Sequence, residues 1–298
     1  MDELLRAIKP DLSLRVVAAV TTEVVAEACA RHGLRGVEVV ALGRALTAAC
    51  LLTTLAKREE RMRFALRSSG PLRGLLVDCR GEGEGPALLG VRGCLQRRLS
   101  AAEHERGLSL AEAVGTAGTL MVTRDLGLDQ RYQGTVAVVS GEVDRDLEHY
   151  LNVSEQLPSV LACEVVLGAT GAVQRAAGVL CQTFPGGETE GLEQLRAALD
   201  GGGLADLLRQ DRGCEALIGF ALGGEAYESM ERSELRFRCP CGMERARSVV
   251  AILGAADIEA LAGEQERTEI KCEFCGAVYV MTADDLRGLA AEIRRERS

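Results

Sequence analysis

The sequence contains few aromatic residues and few lysines. Of its 298 residues none is tryptophan and only 3% are aromatic, so a hydrophobic core has to be built from leucine, valine and alanine. Lysine occurs only at positions 9, 57 and 271, and arginine supplies the rest of the positive charge. The formal net charge of −9 argues against a general binder of nucleic acid or anionic membranes, because neutralising phosphates requires clustered cations.

Membrane and export signals are missing as well. The most apolar run, Ala45–Ala56, is about a dozen residues long, which is too short to cross a bilayer. The N-terminus starts with acidic residues and lacks the basic and apolar regions of a signal peptide. The 11 cysteines are an odd number, which fits a reducing compartment better than a fully paired secreted framework. We therefore expect a soluble cytoplasmic protein.

The first part of the chain, residues 1–185, alternates between strand-like and helix-like segments. Leu12–Thr22 is apolar and β-branched, as in a strand, and the next segment has a threonine cap and a closing Gly33, as in a helix. Strand and helix runs of mixed order predict an α+β fold, here a mixed sheet-and-helix domain, rather than a regular parallel repeat.

The composition changes in residues 186–233, which carry ten acidic and four basic side chains and several glycines. Leu192, Leu195 and Leu199 form one narrow apolar stripe at helical spacing. Helices with so small an apolar face are stable only when they are docked against another surface. We interpret this segment as a helical, metastable acidic linker.

The remaining residues, 234–298, contain two close pairs of cysteines and end in a charged helix. Cys239 and Cys241 flank Pro240, and Cys272 and Cys275 follow about thirty residues later with the glycine of a metal knuckle, Gly276, behind them. Four thiolates suit tetrahedral zinc, so we predict one Zn²⁺ site formed by these four residues in a small zinc-binding domain.

Such a zinc site is compatible with either a structural or a redox role. Zinc binding contributes on the order of 10–16 kcal/mol to small domains, so losing the metal should unfold this one. A disulfide within either close pair would return only about 1.5–2 kcal/mol and would remove the link between the pairs. Peroxide could therefore eject the metal and unfold the domain, but the spacing alone does not prove that it does. Because Pro240 favours extended backbone at Cys239, a Cys239–Cys241 bond is predicted to be strained and easily reduced.

Several motifs occur along the chain, namely GPLRGLLV, RYQGTVAV, YLNVSEQLPSVL, AAGVLCQTFPGG and FRCPC followed by CEFCG. In this order they resemble the motifs of the 33 kDa chaperonin (heat shock protein 33) family, the redox-regulated bacterial holdases, and the resemblance covers roughly residues 12–290. The resemblance implies a zinc-bound, inactive reduced monomer. On oxidation it implies the disulfides Cys239–Cys241 and Cys272–Cys275, zinc release, an unfolded linker and an active form, often a homodimer, that holds unfolding client proteins without ATP against oxidative and heat stress. It implies no enzymatic activity.

Seven further cysteines lie outside the family's motif and are expected to be small core residues: Cys29, Cys50, Cys79, Cys94, Cys163, Cys181 and Cys214. The acidic surroundings of Cys214 should disfavour its thiolate.

Two other functions are less compatible with the sequence. A nucleic-acid-binding zinc ribbon needs a basic stripe or stacking aromatics, whereas residues 234–298 carry twelve acidic and ten basic side chains. A thiol–disulfide oxidoreductase places its cysteine pair at the start of a helix, whereas Cys275 is followed by the strand-like AVYVMT. The sequence thus predicts neither nucleic-acid nor membrane partners.

Overall fold

The computed structural model describes residues 1–54, 61–82, 88–125, 131–184, 186–187, 189–210 and 212–296. The chain forms two compact units, Met1–Arg238 and Cys239–Ser298.

The first unit is built on one ten-stranded sheet with the strand order β7-β6-β3-β4-β5-β10-β1-β2-β9-β8. Neighbouring strands are antiparallel except for β10 and β5, which are parallel. The strands are β1 (Glu3–Lys9), β2 (Leu14–Val20), β3 (Arg61–Ser68), β4 (Gly74–Glu82), β5 (Leu88–Leu95), β6 (Gly118–Asp125), β7 (Arg131–Ala137), β8 (Ser159–Leu167), β9 (Val173–Thr183) and β10 (Glu228–Phe237).

Helices pack on both faces of this sheet. They are α1 (Thr22–His32), α2 (Val37–Thr53), α3 (Ala101–Glu105), α4 (Leu110–Val114), α5 (Val143–Val153), α6 (Glu190–Asp200), α7 (Gly203–Leu208) and α8 (Cys214–Ala221). A short 3₁₀ turn, Pro10–Leu12, joins β1 to β2.

Helix α2 is the centre of the main core. Its sequence is apolar nearly all round, and such a helix is stable only when it is buried on all sides. It packs on one face of the sheet together with α1 and α5. Helix α1 ends as its sequence predicts, because Gly33 adopts the left-handed conformation (φ +60°) that closes a helix.

The second face of the sheet is covered over β1, β2, β8 and β9 by helices α6 to α8. Leu192 and Leu195 are buried there, and Leu199 packs against the same apolar cluster. The predicted leucine stripe is thus the face by which α6 docks against the sheet. Glycines near it divide the segment into three short helices instead of one long helix.

The second unit is small. It comprises α9 (Met243–Ala251), α10 (Ala255–Glu264), β11 (Arg267–Lys271), β12 (Val278–Thr282) and α11 (Ala283–Glu296). The strands β11 and β12 form an antiparallel hairpin. Among the described residues, the core of the unit consists of seven buried apolar side chains, namely Val250, Ile258, Ala262, Met281, Leu286, Leu289 and Ala290.

The predicted α+β class is confirmed, as are the strand after Cys275 and the final helix. The sequence patterns did not predict β1 or β10. Strand β10 is rich in polar residues, but it lies between β5 and β1, so its pairing partners override its weak propensity. The boundaries at residues 185 and 233 stay predictions, because static packing does not test which segment unfolds.

Among the described residues, no helix is both long enough and apolar enough to span a bilayer. The described part of the apolar run, up to Thr54, belongs to buried α2 and its C-cap, and Leu55 and Ala56 lie outside the described residues.

Candidate metal centre

The first cysteine pair lies in the short connection between β10 and α9. Cys239 comes two residues after the last residue of β10, and Gly242, directly after Cys241, is the N-cap of α9. Because backbone N–H groups at the start of a helix point towards its N-terminus, this location favours negative charge on a nearby sulfur.

The second pair lies in a tight turn between β11 and β12. Gly276 adopts a left-handed conformation (φ +71°) that a side chain would strain. Its N–H donates to the carbonyl oxygen of Cys272 at 2.8 Å, and the N–H of Cys272 donates to the carbonyl oxygen of Ala277, also at 2.8 Å. These bonds fold the chain around the two sulfurs, as the CEFCG sequence predicts.

The four thiol sulfurs converge on one point. They lie within 4.8 Å of one another and could hold a metal ion. The Sγ–Sγ distances are 3.6 Å from Cys239 to Cys272 and 3.3 Å from Cys241 to Cys275. Four sulfurs around a tetrahedral metal at about 2.3 Å would be about 3.8 Å apart. The donor set therefore fits a tetrahedral metal closely.

Both short sulfur contacts join one pair to the other. Their partners are 33 and 34 residues apart, and α9, α10 and β11 lie between them. A metal held by all four sulfurs would consequently close a loop that contains more than half of the second unit.

Tyr279 on β12 contacts the site. Its hydroxyl donates a hydrogen bond to Sγ of Cys241 at 3.0 Å. Burial raises the pKa of Cys241, but the bonds from Tyr279 and the neighbouring thiols outweigh burial, and the pKa falls to about 7. The same bond raises the pKa of Tyr279 to about 12, so its hydroxyl remains a donor at neutral pH.

Cys275 has the opposite character within the same cluster. It is the one buried member of the four, and burial is the main cause that raises the pKa of its thiol to about 12. Without a metal the cluster would therefore hold both thiolate and thiol, whereas a bound cation favours the thiolate form of every ligand.

The sequence analysis missed Tyr279. The available signal was strand alternation, because Tyr279 and Met281 are two residues apart in β12 and point to the same side, where Met281 is buried in the core. A tyrosine two residues from a core position and four residues after Cys275 was therefore a candidate contact for the sulfurs.

The other cysteines behave as the sequence predicts. All seven are buried, and none of them forms a disulfide. The pKa of Cys214 is raised to about 12, firstly by burial and secondly by the charge of Glu3, so the predicted direction is right although burial is the larger cause. Cys214 lies on the docked face of α8, where its thiol contacts backbone carbonyl oxygens of β1 and β2.

Comparison with known proteins gives one consistent result. The family model described as "Hsp33 protein" matches residues 2–282. A 33 kDa chaperonin of Thermus thermophilus is 38% identical over 308 aligned positions, which cover 99% of this chain and 88% of the relative. A 33 kDa chaperonin of Syntrophotalea carbinolica is 35% identical, with 97% of this chain and 99% of the relative covered.

A solved structure agrees with these relatives. The crystal structure of the 33 kDa chaperonin of Thermotoga maritima superposes with a TM-score of 0.83 at 28% sequence identity and covers 97% of this chain and 98% of that chain. The relatives are named as chaperonins, which confirms the expectation of a chaperone rather than an enzyme. With the α+β fold, the convergent thiols and a family match over nearly the whole length, the chain belongs to the Hsp33 family of chaperones.

Proposed function

We propose that this chain is a redox-regulated, ATP-independent holdase of the cytoplasm, which is inactive while its four cysteines hold Zn²⁺ and active once they are oxidised. The observation that carries the proposal is the convergence of Cys239, Cys241, Cys272 and Cys275 within 4.8 Å. The family supports the chaperone part of the proposal, and the chemistry of the thiols supports the switch.

The four sulfurs favour zinc over other divalent ions. Four thiolates in a tetrahedral arrangement suit zinc, which is a borderline-soft ion and has no redox chemistry of its own. When bound, zinc would keep the sulfurs deprotonated and cross-link the two pairs. Tyr279 would then donate to a metal-bound thiolate and lower the electron density on Cys241.

Oxidation by peroxide would convert each pair into a disulfide. One thiolate attacks the peroxide O–O bond and becomes a sulfenic acid, and the neighbouring thiolate displaces its oxygen. Each pair loses two electrons to one peroxide, takes up two protons and yields two waters. The products, Cys239–Cys241 and Cys272–Cys275, no longer offer four ligands and no longer join the pairs to each other.

The second unit has little else to keep it folded. Its core is formed by seven buried apolar residues within 60 residues, a size at which a single core rarely suffices. The two short disulfides would return only about 1.5–2 kcal/mol each. We therefore infer that oxidation unfolds the second unit, Cys239–Ser298.

The client surface would come from the linker, residues 186–233. Among the described residues, helices α6 to α8 supply eight buried apolar residues to the cluster on the second sheet face, the C-cap residue Leu222 supplies a ninth, and the strands supply eleven. Undocking would expose both sides of this cluster, and exposed apolar surface binds unfolding proteins. The same surface would allow two oxidised copies to associate as a homodimer, with residues 1–185 still folded.

The test follows metal release and chaperone activity together. The reduced protein is analysed for metal and then treated with peroxide at mildly raised temperature, while a chromophoric chelator reports zinc and light scattering reports a denaturing client. We expect one zinc per chain, released in step with the gain in suppression of scattering, without ATP. Cys272→Ser should bind zinc weakly, whereas Cys29→Ala, a buried cysteine of the first unit, should behave as wild type.

The proposal fails if the reduced protein is metal-free yet folded over Cys239–Ser298. It also fails if the wild-type protein, treated with peroxide, suppresses scattering without releasing metal.

A further inference from the structure

Helix α5 covers the outer edge of strand β8, which lies at one end of the strand order. Every second N–H group of an edge strand points away from the neighbouring strand and needs another acceptor. Three side chains of α5 accept these bonds at 2.7–3.0 Å, namely Asn152 from Ser159, Glu148 from Leu161 and Asp144 from Cys163. Acceptors four residues apart on a helix are separated by about 6 Å, and donors two residues apart on a strand by about 7 Å, so the two rows match.

Glu148 of this row also binds the linker. Its Oε2 atom accepts hydrogen bonds from the N–H of Leu161 and from Nη2 of Arg196 on α6. The side chains of Glu148 and Arg196 are only 16% and 22% exposed, and salt screens a partly buried pair less than a pair in open solvent. The carboxylate that covers the edge of β8 is therefore the same group that joins α6 to α5.

A second ion pair lies one helical turn away. Nη2 of Arg145 on α5 is 2.6 Å from Oδ1 of Asp200 on α6. In both helices the positive residue precedes the negative one, but the two helices run in opposite directions, because the lower-numbered residue of α5 meets the higher-numbered residue of α6. Each positive charge thus meets a negative charge. A shift of α6 by one turn in either direction would bring like charges together instead, two arginines or two carboxylates.

The ion pairs contribute something that the leucine stripe of α6 does not. Leu192 and Leu195 are buried in the cluster on the second sheet face, and the free energy of apolar burial is non-directional, so it tolerates a shift of the helix. Complementary charges add specificity, because only one register pairs all of them. The stripe therefore attaches α6 to the sheet, and the ion pairs determine its position.

We propose that Arg145, Glu148, Arg196 and Asp200 form an ionic clasp, which sets the register in which α6 docks and slows its release. The inference rests on the proposed function in one respect, namely that release of the linker activates the chaperone. A protein whose clasp is broken should then hold clients while its thiols are still reduced and its metal is still bound. The clasp is thus a second control on activity, separate from the four cysteines.

The first test reverses the charge of Arg196 in the full-length protein, which is kept reduced with its metal bound. Arg196→Glu places a second carboxylate against Glu148. Hydrogen exchange should become about tenfold faster in α6 and stay unchanged in α2, because like charges in a partly buried contact repel strongly. Suppression of client scattering, measured in parallel without peroxide, should appear in this variant. The matched control is Arg209→Glu, which makes the same change of charge but breaks a pair with Asp206 that lies wholly within the linker, and it should behave as wild type.

The second test uses Arg145 and Asp200, whose side chains are more exposed. Asp200→Arg places two arginines together and should speed exchange in α6 by about threefold, as expected for a pair near the surface. Arg145→Glu/Asp200→Arg restores opposite charges in reversed order and should return exchange to the wild-type rate. A purely structural disturbance at Asp200 would not be repaired by a change at Arg145, so the rescue reports the ion pair itself.

The inference is overturned if α6 exchanges no faster in Arg196→Glu than in Arg209→Glu. It is also overturned if the double variant exchanges as fast as Asp200→Arg alone. Faster exchange of α6 without any suppression of scattering would support the clasp and contradict the proposed role of the linker. Zinc release after peroxide is measured separately, so none of these outcomes depends on the redox switch.

Discussion

The two units of this chain differ most in how their cores are built. Met1–Arg238 encloses apolar clusters on both faces of a ten-stranded sheet, and the described residues place 43 buried side chains in one cluster and 20 in the other. Cys239–Ser298 has seven. Since burial of apolar side chains is the main source of folding free energy, we infer that the first unit is stable by packing alone, whereas the second would need a cross-link. The comparison teaches where regulation is possible: a fold that depends on one ion can be unfolded by chemistry at that ion's ligands.

Removal of the metal should produce the largest difference in stability between the two units. Chelation of the reduced protein, or Cys272→Ser, should remove stabilisation on the order of 10 kcal/mol from the second unit. Hydrogen exchange followed by mass spectrometry should then show loss of protection in α9 to α11 and retained protection in α2. Protection in α11 that survives full removal of the metal would contradict the dependence on a cross-link.

Shortening a single side chain within the first unit should weaken the docking of α6 to α8. Leu195 is 1% exposed against the sheet, and Leu195→Ala should cost about 2–5 kcal/mol. We expect faster exchange in α6 to α8 and partial chaperone activity in the reduced, metal-bound protein. Gln194→Ala, one residue away and exposed, is the control. If the two variants exchange alike, docking by the leucine stripe does not limit activity.

Loss of the Tyr279 hydroxyl should have a smaller effect on the second unit. Tyr279→Phe removes the donor to Cys241 and should weaken metal binding by about tenfold, measured by competition with a chelator. Val278→Ala, an exposed residue of the same strand, should leave affinity unchanged. A phenylalanine variant with wild-type affinity would show that the hydroxyl only fills space.

Thiol labelling should show the smallest effect, which is a change in the rate at which Cys214 reacts. Because burial raises the pKa of Cys214 to about 12, almost none of its thiol is ionised at neutral pH, and iodoacetamide should label it very slowly in the reduced protein. After peroxide, undocking of α8 should expose Cys214 and speed its labelling, while buried Cys50 in α2 stays unlabelled. Equal labelling of Cys214 before and after peroxide would argue against undocking.

Sequence reasoning was strongest where a local rule determines structure. The two cysteine pairs, the left-handed Gly276 and the leucine stripe of α6 all follow from spacing and backbone geometry within a few residues. It was weakest where distant segments decide. The polar strand β10 exists because β1 and β5, which are distant in sequence, pair with it. Predicting the contact of Tyr279 with the site requires both kinds of information, namely local strand alternation and the position of the sulfurs.

The central position of β10 also determines where the polypeptide can be divided. A cut after Arg238 leaves the sheet whole and frees the thiol-bearing tail as a transferable module, which could be fused to an unrelated partner as an oxidant sensor. A cut before Glu228 would withdraw a middle strand and leave β5 and β1 as two open edges, the kind of surface on which chains aggregate.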